Sequence, residues 1–294
     1  MHKSFLLTAV AALLLTTGLS AQYGTFDAAA VKAAKGTTTI VVLDVGDTPY
    51  NRALMEAVKS DWKFTGSYEF VKAPELAMRA ITPEQTFLMK LTKVDPVKFE
   101  GTFLTLVRGW KQKKGEFLQE KDNAFTTVPA DQELASILID PKGIDANNTG
   151  AMLGVYVKHL QNYLDLVAAG KITDKTTADR TYSGRTRLVR DTELWVAKEH
   201  LDKTLPDAAK VKEFYTAPVQ VMDRVQLMSA IDRKDAGITI TDVVITGDHR
   251  NKHCFKRVFN AATGELMYQK DDAAIYGKKE GFLDEDLKSI IRAR

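Results

Sequence analysis

The chain has 294 residues, a formal net charge of +3, 45% hydrophobic and 27% charged residues, and a single cysteine. That is an ordinary globular composition, with length for one large domain or two small ones. The near-neutral balance offers no basic stripe to nucleic acid, and one cysteine permits neither an intramolecular disulfide nor a CxxC redox pair.

In chain order, "MHKSFLLTAVAALLLTTGLSAQYG" joins a basic His2-Lys3 to an apolar run from Phe5 to Leu15 and a small-residue exit at Ala21-Gln22. This is the layout of a secretory signal peptide over residues 1–22, its apolar core too short to span a bilayer. Cleavage is expected after Ala21 or Gln22. No cysteine follows the core, which excludes lipid attachment there, and no later window is apolar enough for a span. The mature chain is expected to be exported and soluble, periplasmic or extracellular.

Residues 23–36 are Ala-rich, a mobile leader or short helix. "TTTIVVLDV" (37–45) is β-branched and nearly continuous in apolar residues, as in a strand buried on both faces. Leu54, Val58 and Trp62 then recur at helical spacing. "GSYEFVKA" (66–73) reads as a strand, "PELAMRAI" (74–81) as a short helix, and 85–94 with 101–110 as a hairpin continued by "EFLQE". "RGWKQKKGEF" (108–117) reads as a solvated hairpin tip. "ELASILID" (133–140) is ambiguous, and an apolar stripe from Leu153 to Val167 marks a helix stopped by Gly170. "KITDKTTADRTYSGRT" (171–186) is polar and aperiodic, a linker pattern.

The same order then returns: strand 193–201, helix 206–215, strand 217–222, a helix 223–234 with Val225, Met228 and Ile231 inward, strand 237–248, hairpin 254–269 and a final helix 283–294. Each half therefore reads β-α-β-α-β-β-α. The expected fold class is α/β: two small mixed-sheet lobes, 37–170 and 191–294, joined by a linker at 171–190. This order resembles that of the thioredoxin-like fold, without the CxxC that such redox proteins carry after the first strand. "DVGDTPYN" stands there in the first half and "KEHLDKTLPD" in the second.

The acidic turn "VVLDVGDTPYN" is the one place with a chemical look. It resembles the D-x-D-x-T motif of haloacid-dehalogenase phosphatases, with Asp44 as nucleophile and Thr48 in place. Gly46 replaces the second carboxylate, and Asp47 falls one position late. A late echo, "VVITGDHRNKH", keeps Gly247 and Asp248 but has Lys252 where the last acid belongs. A phosphatase needs carboxylates from separate strand ends to share a divalent cation. One glycine and two aspartates make a poor phosphate cradle. Capping by Asp47 or Thr48 with Pro49 at the first helical position accounts for the acids, the threonine and the proline together. Ligand-binding candidates are Asp44, Asp47, Tyr50, Asn51 and Trp62, the last because a Trp at a helix exit lines a pocket as readily as a core. His249 and His253 in "HRNKHC" are metal candidates by spacing, with Asp248 as the only further ligand in reach, and zinc needs more. Cys254, in a strand-like alternation, reads as a small buried hydrophobe. His159 and His200 lie near no nucleophile signature.

"YNRALMEAVKSDWKFTGSYEFV", with "TFLMKLTKV" downstream, resembles a stretch shared by exported proteins of unknown function in Bacteroidetes bacteria. The matching residues are Tyr50, Asn51, Leu54, Ala57, Trp62, Lys63, Thr65, Tyr68, Glu69 and Phe70. "ELWVAKEHL" and "NAATGELMY" carry it into the second half. The resemblance brings no known activity. Burial explains Leu54, Trp62, Tyr68 and Phe70. The reading from sequence is thus a non-catalytic binding or assembly protein of the cell envelope, with a protein partner and no cofactor; the alternative is a divergent phosphatase using Asp44.

Overall fold

The computed structural model describes residues 23–95, 99–113, 115–248 and 251–294. The signal-peptide expectation for 1–22 and the metal candidate His249 lie outside the described residues.

The β-branched run forms β1 (Thr38–Leu43), flanked by the parallel strands β2 (Ser67–Lys72) and β3 (Gln85–Asp95); Val41 and Leu43 enter one apolar cluster and Ile40 and Val42 another, so both its faces are buried. β3 turns back into antiparallel β4 (Phe99–Arg108), and β7 (Glu133–Ile139) adds to β4. The sheet order is β2-β1-β3-β4-β7, with the two-residue strands β5 (Glu120–Lys121) and β6 (Ala124–Phe125) attached beside β3. Thus "EFLQE" does not prolong the hairpin, and the described part of 109–119 is irregular chain between β4 and β5 rather than a hairpin tip.

A second sheet runs β9-β8-β10-β11-β12. β8 (Glu193–Ala197) lies between parallel β9 (Val219–Met222) and β10 (Ile238–Thr246); β11 (His253–Asn260) and β12 (Leu266–Ala273) follow antiparallel. The two sheets share one plan: a first strand between two parallel partners, then antiparallel additions, so each half carries at least three strands after its second helix where the expected order has two.

Helices complete the layers: α1 (Ala28–Ala34), α2 (Pro49–Asp61), α3 (Ala73–Ala77), α4 (Pro141–Asn147), α5 (Ala151–Ala168), α6 (Lys175–Thr186), α7 (Ala208–Phe214), α8 (Arg224–Asp232) and α9 (Asp284–Arg292). α5 buries a broad apolar stripe, from Met152 and Leu153 to Leu164 and Val167, and leaves Lys158, Gln161 and Asp165 on its polar side. It packs on α1, α2 and β7 of the first half and on α8 of the second, and one apolar core joins Val41, Leu88 and Leu104 to Ile240, Phe259 and Leu266 through it. No helix among the described residues is long and apolar enough to cross a membrane.

Three sequence expectations change here. The polar stretch at 171–190 is not extended chain: Asp174 and Thr177 form a capping box that starts α6, which packs on β12 and buries Ala178 and Tyr182. Its signal was the cap, because α6 has too few apolar residues for periodicity. Val225 points out, 65% exposed, while Leu227, Met228, Ala230 and Ile231 face inward. Tyr68 is 37% exposed because β2 is an edge strand. At the start of the described chain, Tyr23 is buried, its ring stacked at 6.2 Å on Tyr163 and 5.9 Å on Tyr182.

The "NAATG" turn between β11 and β12 docks on α5. Lys158 Nζ donates to the Ala262 carbonyl at 3.0 Å and Asn162 Nδ2 to the Thr263 carbonyl at 3.0 Å. Gly264 has φ +66°, and a Cβ there would stand 2.8 Å from the Val155 carbonyl oxygen and 2.5 Å from Lys158 Cβ. Gly46 has φ +87° with nothing within 4 Å of an added Cβ. Gly264→Ala should therefore cost about 2–3 kcal/mol in urea unfolding, against about 1 kcal/mol for Gly46→Ala, because the first adds a backbone clash to the left-handed strain both share.

Candidate functional site

The acidic turn after β1 is closed by its own side chains. Thr48 caps α2 by accepting from the Asn51 amide at 3.1 Å, with Pro49 at the first helical position. The Asn51 side chain turns back over the loop. Its Oδ1 accepts from the Asp44 amide at 2.7 Å, and its Nδ2 donates to the Asp44 carbonyl at 3.0 Å and the Gly46 carbonyl at 2.9 Å. Asn123 Oδ1 accepts from the Val45 amide, and Asp145 Oδ1 from the Tyr50 amide. Asn51 is thus the buckle of the turn.

Asp44 itself is buried, and Lys90 of β3 places its Nζ 2.6 Å from Oδ1 and 2.8 Å from Oδ2. Burial raises the Asp44 pKa, and the Lys90 ammonium opposes that rise. The same ammonium lies 4.6 Å from the ring centroid of Tyr50, which is fully buried with a hydroxyl lacking a partner among the described residues. Asp47 is exposed and pairs with Arg52 at 2.8 Å. Trp62 is buried in the core. Its Nε1 donates to Thr65 Oγ1, one link in a hydroxyl chain through Thr39 to Thr86. Of the five ligand-binding candidates, Asp44, Tyr50 and Asn51 meet in one place; Asp47 and Trp62 do not join them. Asp44 follows β1 and Asp248 follows β10, strands of different sheets, so the two halves of the phosphatase echo do not end side by side.

A second polar cluster sits where α5 meets the second sheet. Arg257 of β11 donates through Nε to Asp242 Oδ2 at 2.8 Å, its Nη2 lies 2.6 Å from the same oxygen, and Tyr156 of α5 donates to Asp242 Oδ1 at 3.1 Å. All three side chains are buried. His200, just after β8, shares a hydrogen bond with Thr241 Oγ1 at 3.0 Å. A cavity of about 40 Å³ beside them, lined by Asp140, Thr149, Tyr156, His200, Arg224 and Asp242, is of a size for water. His159 lies on α5 against Tyr182 and Phe259. Burial, with help from Arg257 and Arg185, lowers the His159 pKa to about 3; burial lowers that of His200 to about 4.

On the other face of β11, Lys256 is fully buried between Asp272 and Asp286. Asp286 also accepts from the Tyr268 hydroxyl at 2.8 Å and the Leu283 amide at 2.9 Å. Carboxylate oxygens of Asp272, Glu285 and Asp286 lie within 4.8 Å of one another, the one such group among the described residues with metal-ligand spacing. Lys256 and Lys270 already pair with them, so the charge a cation would meet is compensated. His253 is not part of that group; it packs against Phe255 at 6.4 Å. Cys254 is buried and burial pushes its thiol up to about 12, which suits a small hydrophobe and not a nucleophile.

Sequence reading missed Lys90, Asp242, Lys256 and Arg257. Their signal was a lone charge inside an apolar strand, as in "FLMKL", "TITDVVIT" and "CFKRVF". Comparison with known proteins gives no match: neither a protein-family model, a curated protein nor a solved structure matches the chain.

The histidines set a pH dependence. With folded-state values near 3 and 4 and an ordinary value of 6.5, both take up protons in the unfolded chain first. Stability is therefore constant with respect to them above pH 6.5 and falls as pH drops below it. Melting temperature should decline from about pH 6.5 down to about pH 4, where His200 protonates in the folded chain too, and His159→Leu should flatten that slope while leaving a residual decline due to His200.

Proposed function

We propose that the chain is an exported protein of two thioredoxin-like lobes lacking the redox cysteine pair, with a non-catalytic binding or assembly role at the cell envelope. The matching strand order of the two sheets supports the lobe assignment. The basic-apolar-small start supports export.

The observation that carries the non-catalytic reading is the commitment of the acidic turn. Asp44 is held by Lys90, and both donor and acceptor atoms of the Asn51 side chain are consumed by the loop backbone. A nucleophile or metal ligand must present an oxygen to the substrate; here the carboxylate faces an ammonium in a buried site.

The test is hydrolysis of p-nitrophenyl phosphate with and without Mg²⁺, together with thermal melts in EDTA, Mg²⁺, Zn²⁺ and phosphate. The expected outcome is no turnover and no ligand-dependent shift. Asp44→Asn should destabilise by about 3–5 kcal/mol because it leaves Lys90 charged, buried and unpaired, and Asp44→Leu/Lys90→Met should recover most of that loss. Mg²⁺-dependent hydrolysis abolished by Asp44→Asn would refute the proposal.

A further inference from the structure

β12 is an edge strand, and its middle lies at the bottom of a groove. α6 forms one wall through Asp179, Arg180, Ser183 and Gly184, and the α9 end forms the other through Ser289 and Arg294; the cavity measures about 640 Å³. Tyr268, Gln269 and Lys270 make its floor. The backbone of this floor is half used. The Ala274 amide donates to the Lys252 carbonyl of the hairpin partner, so the alternation of an antiparallel ladder turns residues 268, 270 and 272 toward β11. Gln269 and Asp271 therefore present their amide and carbonyl groups outward, away from β11. Thr186 Oγ1 donates to the Met267 carbonyl at 2.8 Å and closes one end.

Three observations say that the groove is kept open and what it suits. Gly184 sits inside α6, where glycine costs helix stability, and a Cβ there would meet nothing within 4 Å. Tyr182, 3% exposed, and Gln269 line the groove, and the Tyr182 hydroxyl and Gln269 Oε1 are buried with no hydrogen-bond partner among the described residues. Arg180 and Arg294 are exposed on its two walls and form no ion pair with the described residues, whereas Asp179 is engaged by Tyr23 and Lys175.

We propose that this groove binds an extended, acidic peptide segment of a partner protein, which adds as a strand to β12 between α6 and α9. Main-chain hydrogen bonds to Gln269 and Asp271 give the affinity, and Arg180 and Arg294 select negative side chains. The inference rests on the binding reading above and names its partner.

The test titrates the mature protein with a fluorescein-labelled octapeptide of alternating valine and glutamate, read by polarisation. Saturable binding is expected, weakened about tenfold or more by N-methylation of one backbone edge, by lysine in place of glutamate, and by Gly184→Trp, which plugs the groove. Amide exchange at Gln269 and Asp271 should slow in the complex. If Gly184→Trp lowers the melting temperature, Arg180→Glu/Arg294→Glu replaces it, with preference expected to switch to the lysine peptide. Absence of saturation, or binding indifferent to N-methylation or to these variants, overturns the groove assignment. It leaves the wider reading standing, since that falls only to metal-dependent hydrolysis lost in Asp44→Asn.

Discussion

The architecture depends on a buried tie between one helix and two strands: Tyr156 of α5 and Arg257 of β11, both holding Asp242 of β10. A carboxylate and a guanidinium removed from water cost several kcal/mol each unless their hydrogen bonds are filled. Here the Asp242 oxygens receive Arg257 and the Tyr156 hydroxyl, while the guanidinium lies against the rings of Tyr156 and Phe259 at 5.3 and 5.7 Å. The tie fixes where α5, grown from the first half, meets the sheet of the second. Lys256, the next residue, points to the other face and holds α9 through Asp286. Two adjacent cations on one strand thus tie a helix to each side of the sheet.

The turn after β1 uses the same physics on a smaller scale. Lys90 reaches Asp44 from the neighbouring strand, and Asn51 satisfies backbone groups that the loop would otherwise leave without partners. The polar residues there look chemical in the sequence because a loop that tight needs many hydrogen bonds. Their density reflects closure. The matching place in the second half is filled by His200, whose burial keeps it neutral, with Thr241 as its partner.

Much of the fold was legible because local patterns agreed with the global one. The continuous β-branched run of β1, the stripe of α5 and the cap at Thr48 each specify their element without tertiary help. The failures share one cause, tertiary context outweighing period. α6 is helical through its cap and its packing on β12, with little periodicity to reveal it. Val225 falls at an inward spacing yet faces an open cleft between α2, α5 and α8 of about 680 Å³. The site residues were legible only in part: Asp44, Tyr50 and Asn51 are neighbours in sequence, whereas Lys90, Asp242 and Arg257 acquire meaning only when distant strands bring them together.

The placement of Tyr23 has a temporal side. Its hydroxyl donates to Asp179 Oδ1 and accepts from Gln269, contacts separated by 156 and 246 residues along the chain. Tyr23 is synthesised 156 residues before Asp179 and 246 before Gln269, so this corner stays unlocked until both have followed it. The ring slot between Tyr163 and Tyr182 is available first, and the Gln269 amide supplies the last of these contacts to the tyrosine.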